Sequence, residues 1–172
     1  MSAHYVIAID GPAASGKGTL ARRLAQHLGF AYLDTGALYR AVGKAVRDEG
    51  GNPDVESDAV LAAQNLAQSL KPEDLQNPAL RTDEAGQDAS KVAKYPQVRA
   101  ALLQFQKDFA ATPPEGIAGV VMDGRDIGTV ICPDADVKLF VTATPEARSK
   151  RRYLELSAKG LKTSMEAVVA DM

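Results

Sequence analysis

The sequence has little cysteine, no excess of either charge, no long hydrophobic run and no internal repeat. Cys132 is the only cysteine among 172 residues, so no disulfide can form within the chain, and a reducing cytoplasm is the expected location. The 20 basic residues are matched by 22 acidic ones, which argues against a polymeric nucleic-acid partner. The apolar run near the N-terminus is too short for a signal peptide or a membrane span, so we expect no membrane association. The two histidines lack metal-ligand spacing.

What the sequence does contain is a regular alternation of apolar strands and helical patterns. We expect strands near 5–9, 30–36, 120–123 and 137–143, and helices near 17–28, 37–49, 57–70, 82–94, 96–110 and 144–156. Ser57 and Thr144 are the expected caps of their helices. The proline-broken segment 71–81 is the best candidate for a mobile connection. This alternation predicts a single α/β domain with a parallel sheet flanked by helices, whose ligands bind at the carboxyl ends of the strands.

A glycine-rich loop follows the first strand. In IAIDGPAASGKGTLARRL, residues 7–24, Gly11 and Gly16-Lys17 have the spacing of a phosphate-binding loop. Glycine lets the main chain approach a phosphate chain closely, and the helix that begins at Lys17 adds the positive end of its dipole. A chance glycine-rich turn is the weaker alternative, because strand, loop and helix occur in the required order. We therefore expect nucleoside triphosphate binding, with Lys17 bridging phosphate oxygens.

One residue departs from the usual loop. Gly18 stands where serine or threonine normally binds Mg²⁺, and the hydroxyl comes one position later, on Thr19. A metal carried mainly by the phosphates of two substrates needs no such ligand. We therefore expect no direct protein ligand to the metal, and expect Thr19 to contact an α- or β-phosphate. Alternatively, Gly18 only eases entry into the helix.

Two further segments carry candidate residues for a second substrate. LDTGALYR places Thr35 at a strand end and Arg40 in the next helix, where both could hold a phosphate; an N-cap threonine and a solvated arginine would fit equally well. VVMDGRDIGTV delivers Asp123, Arg125 and Asp126 at the end of an apolar strand. Arg125 can hold phosphate, one aspartate can hold metal-bound water, and the other can accept from an exocyclic amine. A salt-bridged structural turn is the alternative.

Helical segments supply the remaining candidates. Ser90 and Arg99 lie in ASKVAKYPQVRAALL, which periodicity alone describes as two helices joined at a proline. RSKRRYLELSAKG carries Arg148, Arg151 and Arg152, which could stabilise transition-state charge as arginine fingers do. A solvated basic helix face is the equal alternative.

Together these motifs resemble the nucleoside monophosphate kinases, and among them the bacterial cytidylate kinases. The resemblance rests on IDGPAASGKGT, LDTGALYR, ASKVAKYPQVR and DGRDIGTVICPDADVKLFVTA, in order over essentially the whole chain. It implies a P-loop kinase fold and transfer of the ATP γ-phosphoryl group to CMP or dCMP in the presence of Mg²⁺. A P-loop kinase for AMP or another small acceptor, and a nucleotide-binding switch without phosphotransfer, are the alternatives.

The resemblance also implies roles for individual residues. The ATP phosphates are assigned to Gly11, Pro12, Ala13, Ala14, Ser15, Gly16, Lys17, Gly18 and Thr19. The acceptor phosphate is assigned to Thr35, Arg40 and Arg125, and the cytosine base to Ser90, Arg99 and Asp126. The expected catalytic residues are Lys17, Arg125, Asp123, Arg148 and Arg152. Asp34 and Asp123 are the candidates for ordering water bound to Mg²⁺.

Within one domain over 1–172, we expect a short acceptor-binding insertion at 41–98 and a short lid at 148–163. The sequence departs from the family pattern in its Thr35, where serine is common, and in the shortness of the insertion. It also stops at SMEAVVADM, apparently inside a helix, where members continue into an arginine- and aspartate-rich segment. We therefore expect a truncated or partly disordered C-terminus. A monomer is expected, since nothing in the sequence demands an oligomer.

Overall fold

The predicted alternation of strands and helices is present in a computed structural model, which describes residues 4–172. The strands are β1 Tyr5–Asp10, β2 Ala31–Asp34, β3 Gly119–Gly124 and β4 Val137–Phe140. The helices are α1 Lys17–Leu28, α2 Thr35–Asp48, α3 Glu56–Ser69, α4 Asp83–Ala93, α5 Pro96–Ala111, α6 Pro145–Ala158 and α7 Met165–Asp171. Two 3₁₀ turns, Pro72–Gln76 and Pro78–Arg81, and one π-helical turn, Ile127–Ile131, complete the described elements.

The four strands form one parallel sheet in the order β2-β3-β1-β4. Every residue of β3 is buried, as expected for a central strand whose sequence is apolar without alternation. Register places Asp34 of β2 opposite Asp123 of β3, and Asp10 of β1 opposite Gly124. The α/β fold with a parallel sheet is confirmed, and its carboxyl edge gathers the polar strand ends.

Apolar side chains cover both faces of the sheet. On one face Ile7, Ile9 and Val121 pack against α1 through Ala21 and Ala25. On the other face the larger cluster joins the sheet to helices α2, α3, α4 and α5. Alternate residues of one strand thus serve two separate layers, because successive side chains point to opposite faces. Strands β1 and β3 thus lie between two helical layers, whereas Val137, Leu139 and Phe140 of the edge strand β4 are exposed.

Several local predictions need correction. Val55, not Ser57, is the cap of α3, and β4 ends at Phe140 rather than Ala143. Segment 71–81 forms two 3₁₀ turns whose Leu75 and Leu80 are buried in the main core, so it is more ordered in secondary structure than its proline-broken sequence indicated. The π-helical turn after β3 was not predicted.

The cap predicted for α6 is confirmed: the Thr144 hydroxyl accepts a hydrogen bond from the Ala147 N–H at 3.2 Å. The helix predicted near 17–28 is also present, although Leu20 and Leu28 remain exposed while two alanines bury its inner face. No helix within residues 4–172 is long and apolar enough to cross a membrane. The first three positions of the segment judged too short for a signal peptide lie outside the described residues.

Candidate active site

The loop between β1 and α1 has the geometry of an anion cradle. Gly11 cannot be replaced by a larger residue, because a Cβ there would overlap the carbonyl oxygen of Val141. Gly16, with φ of 93°, and Ala14, with φ of 56°, both adopt left-handed conformations that turn the main chain back on itself. The hydroxyl oxygen of Ser15 is buried without a hydrogen-bond partner among the described residues. A bound phosphate oxygen is the natural partner for this hydroxyl.

Lys17 opens helix α1 among charges of both signs. Burial lowers the pKa of its ammonium group, and the nearby Arg125 and Arg40 lower it further, whereas Asp123 and Asp34 oppose the change. A cation held beside two other cations favours an anion in the space between them. This grouping joins the glycine loop to residues predicted for the acceptor.

Asp123 is the most deeply buried of the nearby carboxylates, with 4% of its surface exposed. Burial, followed by the neighbouring Asp34, raises the pKa of Asp123 from 3.8 to about 6. The Tyr32 hydroxyl donates a hydrogen bond to Asp123 Oδ1 at 2.7 Å, which favours the ionised form. A Cβ at Gly18 would lie 3.5 Å from Asp123 Oδ2, so this carboxylate faces the position where the usual loop hydroxyl is missing.

Asp34 and Arg40 form an ion pair at 3.3 Å, with about a third of each side chain exposed. Arg40 therefore lies at the carboxyl edge of the sheet, as predicted, and Asp34 orients its guanidinium group. The sequence did not indicate this pairing, since Asp34 was considered only as a candidate for holding metal-bound water.

The segment after β3 is held through its main chain. Both carboxylate oxygens of the buried Asp10 accept hydrogen bonds at 2.8 Å, from the N–H groups of Ile127 and Gly128. The Thr35 hydroxyl donates to the carbonyl oxygen of Asp123 at 2.8 Å. Thr35 is thus buried at the start of α2 and engaged with the main chain, a contact that the sequence did not indicate.

The three arginines of α6 diverge. Arg151 Nη1 donates to the carbonyl oxygens of Ser15 at 2.8 Å and Ala14 at 3.3 Å, and Arg148 Nη1 donates to that of Ala13 at 3.4 Å. Two of the three therefore contact the glycine loop. Arg148 also lies close enough to lower the pKa of Arg125, after the larger effect of burial.

Arg152 points elsewhere. Its Nη2 lies 2.5 Å from Asp83 Oδ1 at the start of α4, and its Nη1 lies 3.3 Å from Glu155 Oε2. Lys159 of the segment after α6 donates to the carbonyl oxygen of Arg81 at 3.2 Å. Arg152 thus joins α6 to the segment 81–83, an arrangement different from that of an arginine finger over the loop.

Known proteins resemble the chain over nearly its whole length. The family model described as cytidylate kinase matches residues 7–172. A cytidylate kinase of Paramagnetospirillum magneticum is 60% identical over 167 residues, covering 97% of this chain and 77% of that protein. Those of Rhodospirillum rubrum and Rhodopseudomonas palustris are 58% and 54% identical, again over 97% of this chain and over 76% and 75% of their own lengths. The chain belongs to the cytidylate kinase family.

Membership of the cytidylate kinase family confirms the resemblance seen in the sequence and the assignment as an ATP-dependent kinase. It also favours that interpretation over the two alternatives, a kinase for another acceptor and a switch without phosphotransfer.

The residues predicted to bind the base lie on α4, on α5 and directly after β3. Burial raises the pKa of Tyr39, and its charged neighbours are Asp126, which raises it further, and Arg99, which lowers it. Tyr39 therefore lies near two of the predicted base contacts. Ser90 lies exposed on α4, and its hydroxyl donates to the carbonyl oxygen of Gly86 at 3.2 Å. Tyr39 lies within the motif LDTGALYR. It was not predicted as a site residue, because an aromatic residue in a helix is ordinarily part of the core.

An ion pair between a half-exposed arginine and a buried aspartate joins α2 to α4. Arg47 of α2 donates from Nε and Nη2 to the two carboxylate oxygens of Asp88 on α4, each at 2.9 Å, and 3% of the Asp88 side chain is exposed. Hydrogen bonding to Arg47 keeps the pKa of Asp88 below its ordinary value. A Cβ at Gly43 would lie 2.7 Å from the Asp88 Cβ, so the two helices pack closely here. Neither residue was a sequence-based candidate.

A cleft of about 500 Å³ opens beside Asp34 and Arg40. Its walls come from β2, α2, the two 3₁₀ turns and the later part of α6, with Arg22, Tyr32, Arg81 and Arg152 among the lining residues. Within residues 4–172, no group of three or more histidine, cysteine or acidic residues is arranged to hold a metal ion.

Proposed function

We propose that this protein transfers the γ-phosphoryl group of ATP to a phosphate oxygen of CMP or dCMP, producing CDP or dCDP. The observation that carries the proposal is the convergence of Lys17, Arg40, Arg125 and Asp123 at one edge of the sheet, next to a glycine loop. Phosphoryl transfer depends on positioning and charge neutralisation rather than on strong acid–base catalysis. Lys17 of the glycine loop, together with Arg40 and Arg125 of the proposed acceptor site, would supply the positive charge that neutralises the phosphates.

The donor phosphates would lie in the loop from Gly11 to Thr19. The main-chain N–H groups of the loop, the N-terminus of α1 and the unpartnered hydroxyl of Ser15 would donate to phosphate oxygens. Lys17 would bridge the β- and γ-phosphates. Thr19 is exposed at the outer side of α1 and would reach an α- or β-phosphate.

The residues present suit a magnesium ion held through water. Asp34 and Asp123 are opposite in register, and the charge of one raises the pKa of the other, so two oxygen-donor side chains are close together. Carboxylate oxygens and water are preferred by Mg²⁺, which retains several waters when phosphates supply its remaining ligands. When bound, the ion would neutralise charge on the phosphate oxygens of both nucleotides. The two aspartates would hold its water molecules by accepting their hydrogen bonds.

The acceptor phosphate would be bound by Arg40 and Arg125, with Thr35 as a third contact. Arg40 is held by Asp34 with a third of its side chain exposed, so it can meet a phosphate without losing its orientation. Arg125 has a lowered pKa because it is partly buried near another cation, a state that a bound phosphate would relieve. The Thr35 hydroxyl would exchange the Asp123 carbonyl for a phosphate oxygen.

The base would be recognised by Asp126, Arg99 and Ser90. An Asp126 carboxylate accepts from the N4 amine of cytosine, whereas uracil presents an oxygen at that position and would be repelled. Asp126 and Arg99 both lie near Tyr39, which supports a common binding surface for the base.

During transfer, charge on the phosphoryl group would be stabilised from α6. Arg148 lies near Arg125, and Arg151 contacts the loop directly. Arg152 would contribute only after releasing Asp83. Residues 148–163 would thus act as the lid, and residues 41–98 as the acceptor-binding insertion. We further propose a cytoplasmic monomer that binds no polymeric nucleic acid.

A coupled assay of ADP formation tests the proposal with CMP, dCMP, UMP and AMP as acceptors. CMP and dCMP should be phosphorylated with kcat/KM at least about a hundredfold above that of UMP, because Asp126 would face an oxygen in UMP. Preference for AMP would contradict the assignment of Asp126, Arg99 and Ser90. Protection against thermal unfolding by ATP but not by CMP would favour a nucleotide-binding switch instead.

A further inference from the structure

Tyr32 contacts the site from outside the proposed set of substrate-binding residues. It lies in the middle of β2, and its ring packs against the smaller apolar cluster that includes Ile7, Ile9 and Val121. Its hydroxyl extends beyond this cluster and donates to Asp123 Oδ1 at 2.7 Å. An apolar support with a single polar tip holds the hydroxyl in one place.

The contact distinguishes the two oxygens of Asp123. Within residues 4–172, Tyr32 supplies the one side-chain hydrogen bond made to this carboxylate. Oδ1 is thereby engaged, and Oδ2 is the oxygen that faces Gly18 and the glycine loop. The charged groups near Asp123 are Asp34, Lys17, Arg22 and Arg125. The Tyr32 hydroxyl is thus an uncharged hydrogen-bond donor that holds Asp123 among charged neighbours.

Without this hydroxyl, a buried carboxylate oxygen would lose its donor. A carboxylate in that state turns toward another donor, because leaving a buried acceptor unsatisfied is unfavourable. The cations near Asp123 are Lys17, Arg22 and Arg125, and pairing with any of them would turn the carboxylate away from its present orientation. Pairing with Lys17 would also draw that ammonium group away from the phosphates.

We propose that Tyr32 is a positioning residue for phosphoryl transfer, acting through Asp123 by holding Oδ2 toward the glycine loop. The inference rests on the proposed function of Asp123 in ordering water around the nucleotide phosphates. If the inference holds, phosphoryl transfer also depends on one phenolic hydroxyl of the edge strand β2. The sequence analysis predicted site residues only at the end of this strand, at Asp34 and the neighbouring Thr35.

Tyr32→Phe removes the hydroxyl and keeps the ring. We expect kcat to fall about tenfold or more, as is common when a residue that orients a metal-site ligand is removed, while KM for CMP changes less than about twofold. Calorimetry should show weaker binding of ATP in the presence of Mg²⁺ and little change in its absence. Tyr95→Phe is the matched control, since the Tyr95 hydroxyl donates to the carbonyl oxygen of Asp54 at 2.6 Å, at an exposed position away from the loop. It should retain the wild-type values.

A double-mutant cycle with Asp123→Asn separates the inference from the function on which it rests. If Tyr32 acts through Asp123, adding Tyr32→Phe to Asp123→Asn should reduce kcat and magnesium-dependent ATP binding little further. Equal reductions in the two backgrounds would overturn the inference, as would full activity of Tyr32→Phe beside an impaired Asp123→Asn. Wild-type kcat and ATP binding in Asp123→Asn would instead refute the role proposed for Asp123, and with it the inference. Urea unfolding of each variant establishes that the folded protein is compared.

Discussion

Replacing Asp123 by asparagine should make the protein more stable and less active at neutral pH. In the folded protein the pKa of Asp123 is about 6, against an ordinary value of 3.8, because the carboxylate is buried beside Asp34. Each unit of difference in pKa corresponds to about 1.4 kcal/mol, so the ionised carboxylate destabilises the folded state by about 3 kcal/mol. An asparagine has no charge to bury, and its side-chain oxygen still accepts from the Tyr32 hydroxyl.

The stabilisation expected from Asp123→Asn depends on pH. A raised pKa means that the folded state binds the Asp123 proton more tightly than the unfolded state does. Wild-type stability therefore falls, from this group alone, as pH rises from about 4 to about 6, and the full destabilisation persists above that range. The Asp123→Asn variant lacks this dependence. Its advantage should be near zero at pH 4 and about 3 kcal/mol at pH 7.5.

Urea unfolding of both proteins between pH 4 and pH 7.5 measures the difference directly. The pH-dependent terms from all other groups cancel to a first approximation, since both proteins share them. At pH 7.5 the difference corresponds to an increase in Tm on the order of 6–10 °C for a domain of this size. A difference independent of pH, or a variant less stable than wild type at pH 7.5, would refute the argument that this buried charge is costly. Turnover of CMP by the same variant should fall by at least about tenfold.

Four further substitutions test the roles assigned to individual residues of the site. Lys17→Met should lower kcat by about a hundredfold or more while CMP affinity, measured by calorimetry, stays close to wild type; a large loss of CMP affinity would contradict the assignment of Lys17 to the donor. Asp126→Ala should raise KM for CMP about tenfold or more and leave ATP affinity unchanged, and an equal effect on both nucleotides would argue against a base contact. Arg148→Ala should lower kcat far more than Arg152→Ala, because the Arg152 guanidinium group is paired with Asp83; steady-state kinetics showing the reverse order would restore Arg152 as the transition-state contact.

The sequence predicted the location of the site better than its internal contacts. Carboxyl ends of parallel strands meet at one edge, so Asp10, Asp34 and Asp123 could be brought together from the strand pattern alone. The cap at Thr144 was likewise local, since its partner Ala147 lies one turn away. Features of this kind depend on a few neighbouring residues, so they can be recognised in a short stretch of sequence.

Contacts between distant residues were not predictable in the same way. Tyr32 and Asp123 are 91 positions apart, and the link between Arg152 and Asp83 spans 69. A tyrosine inside an apolar strand is ordinarily a core residue. The neighbouring residues in the sequence do not indicate that its hydroxyl donates to a carboxylate. Such pairings depend on strand order and on the rotation of each helix, which the sequence pattern of a single chain leaves open.

The main-chain anchoring of the segment after β3 has a consequence for how the acceptor site can change. Asp10 accepts from the N–H groups of Ile127 and Gly128, and β1 pairs with β3 as far as Gly124, so the path of the backbone through Arg125 and Asp126 is set by groups outside those two side chains. A new side chain could be installed at Asp126, the proposed base contact, while the backbone and Arg125 stay in place. The segment is therefore a favourable starting point for directed evolution toward acceptors with other bases.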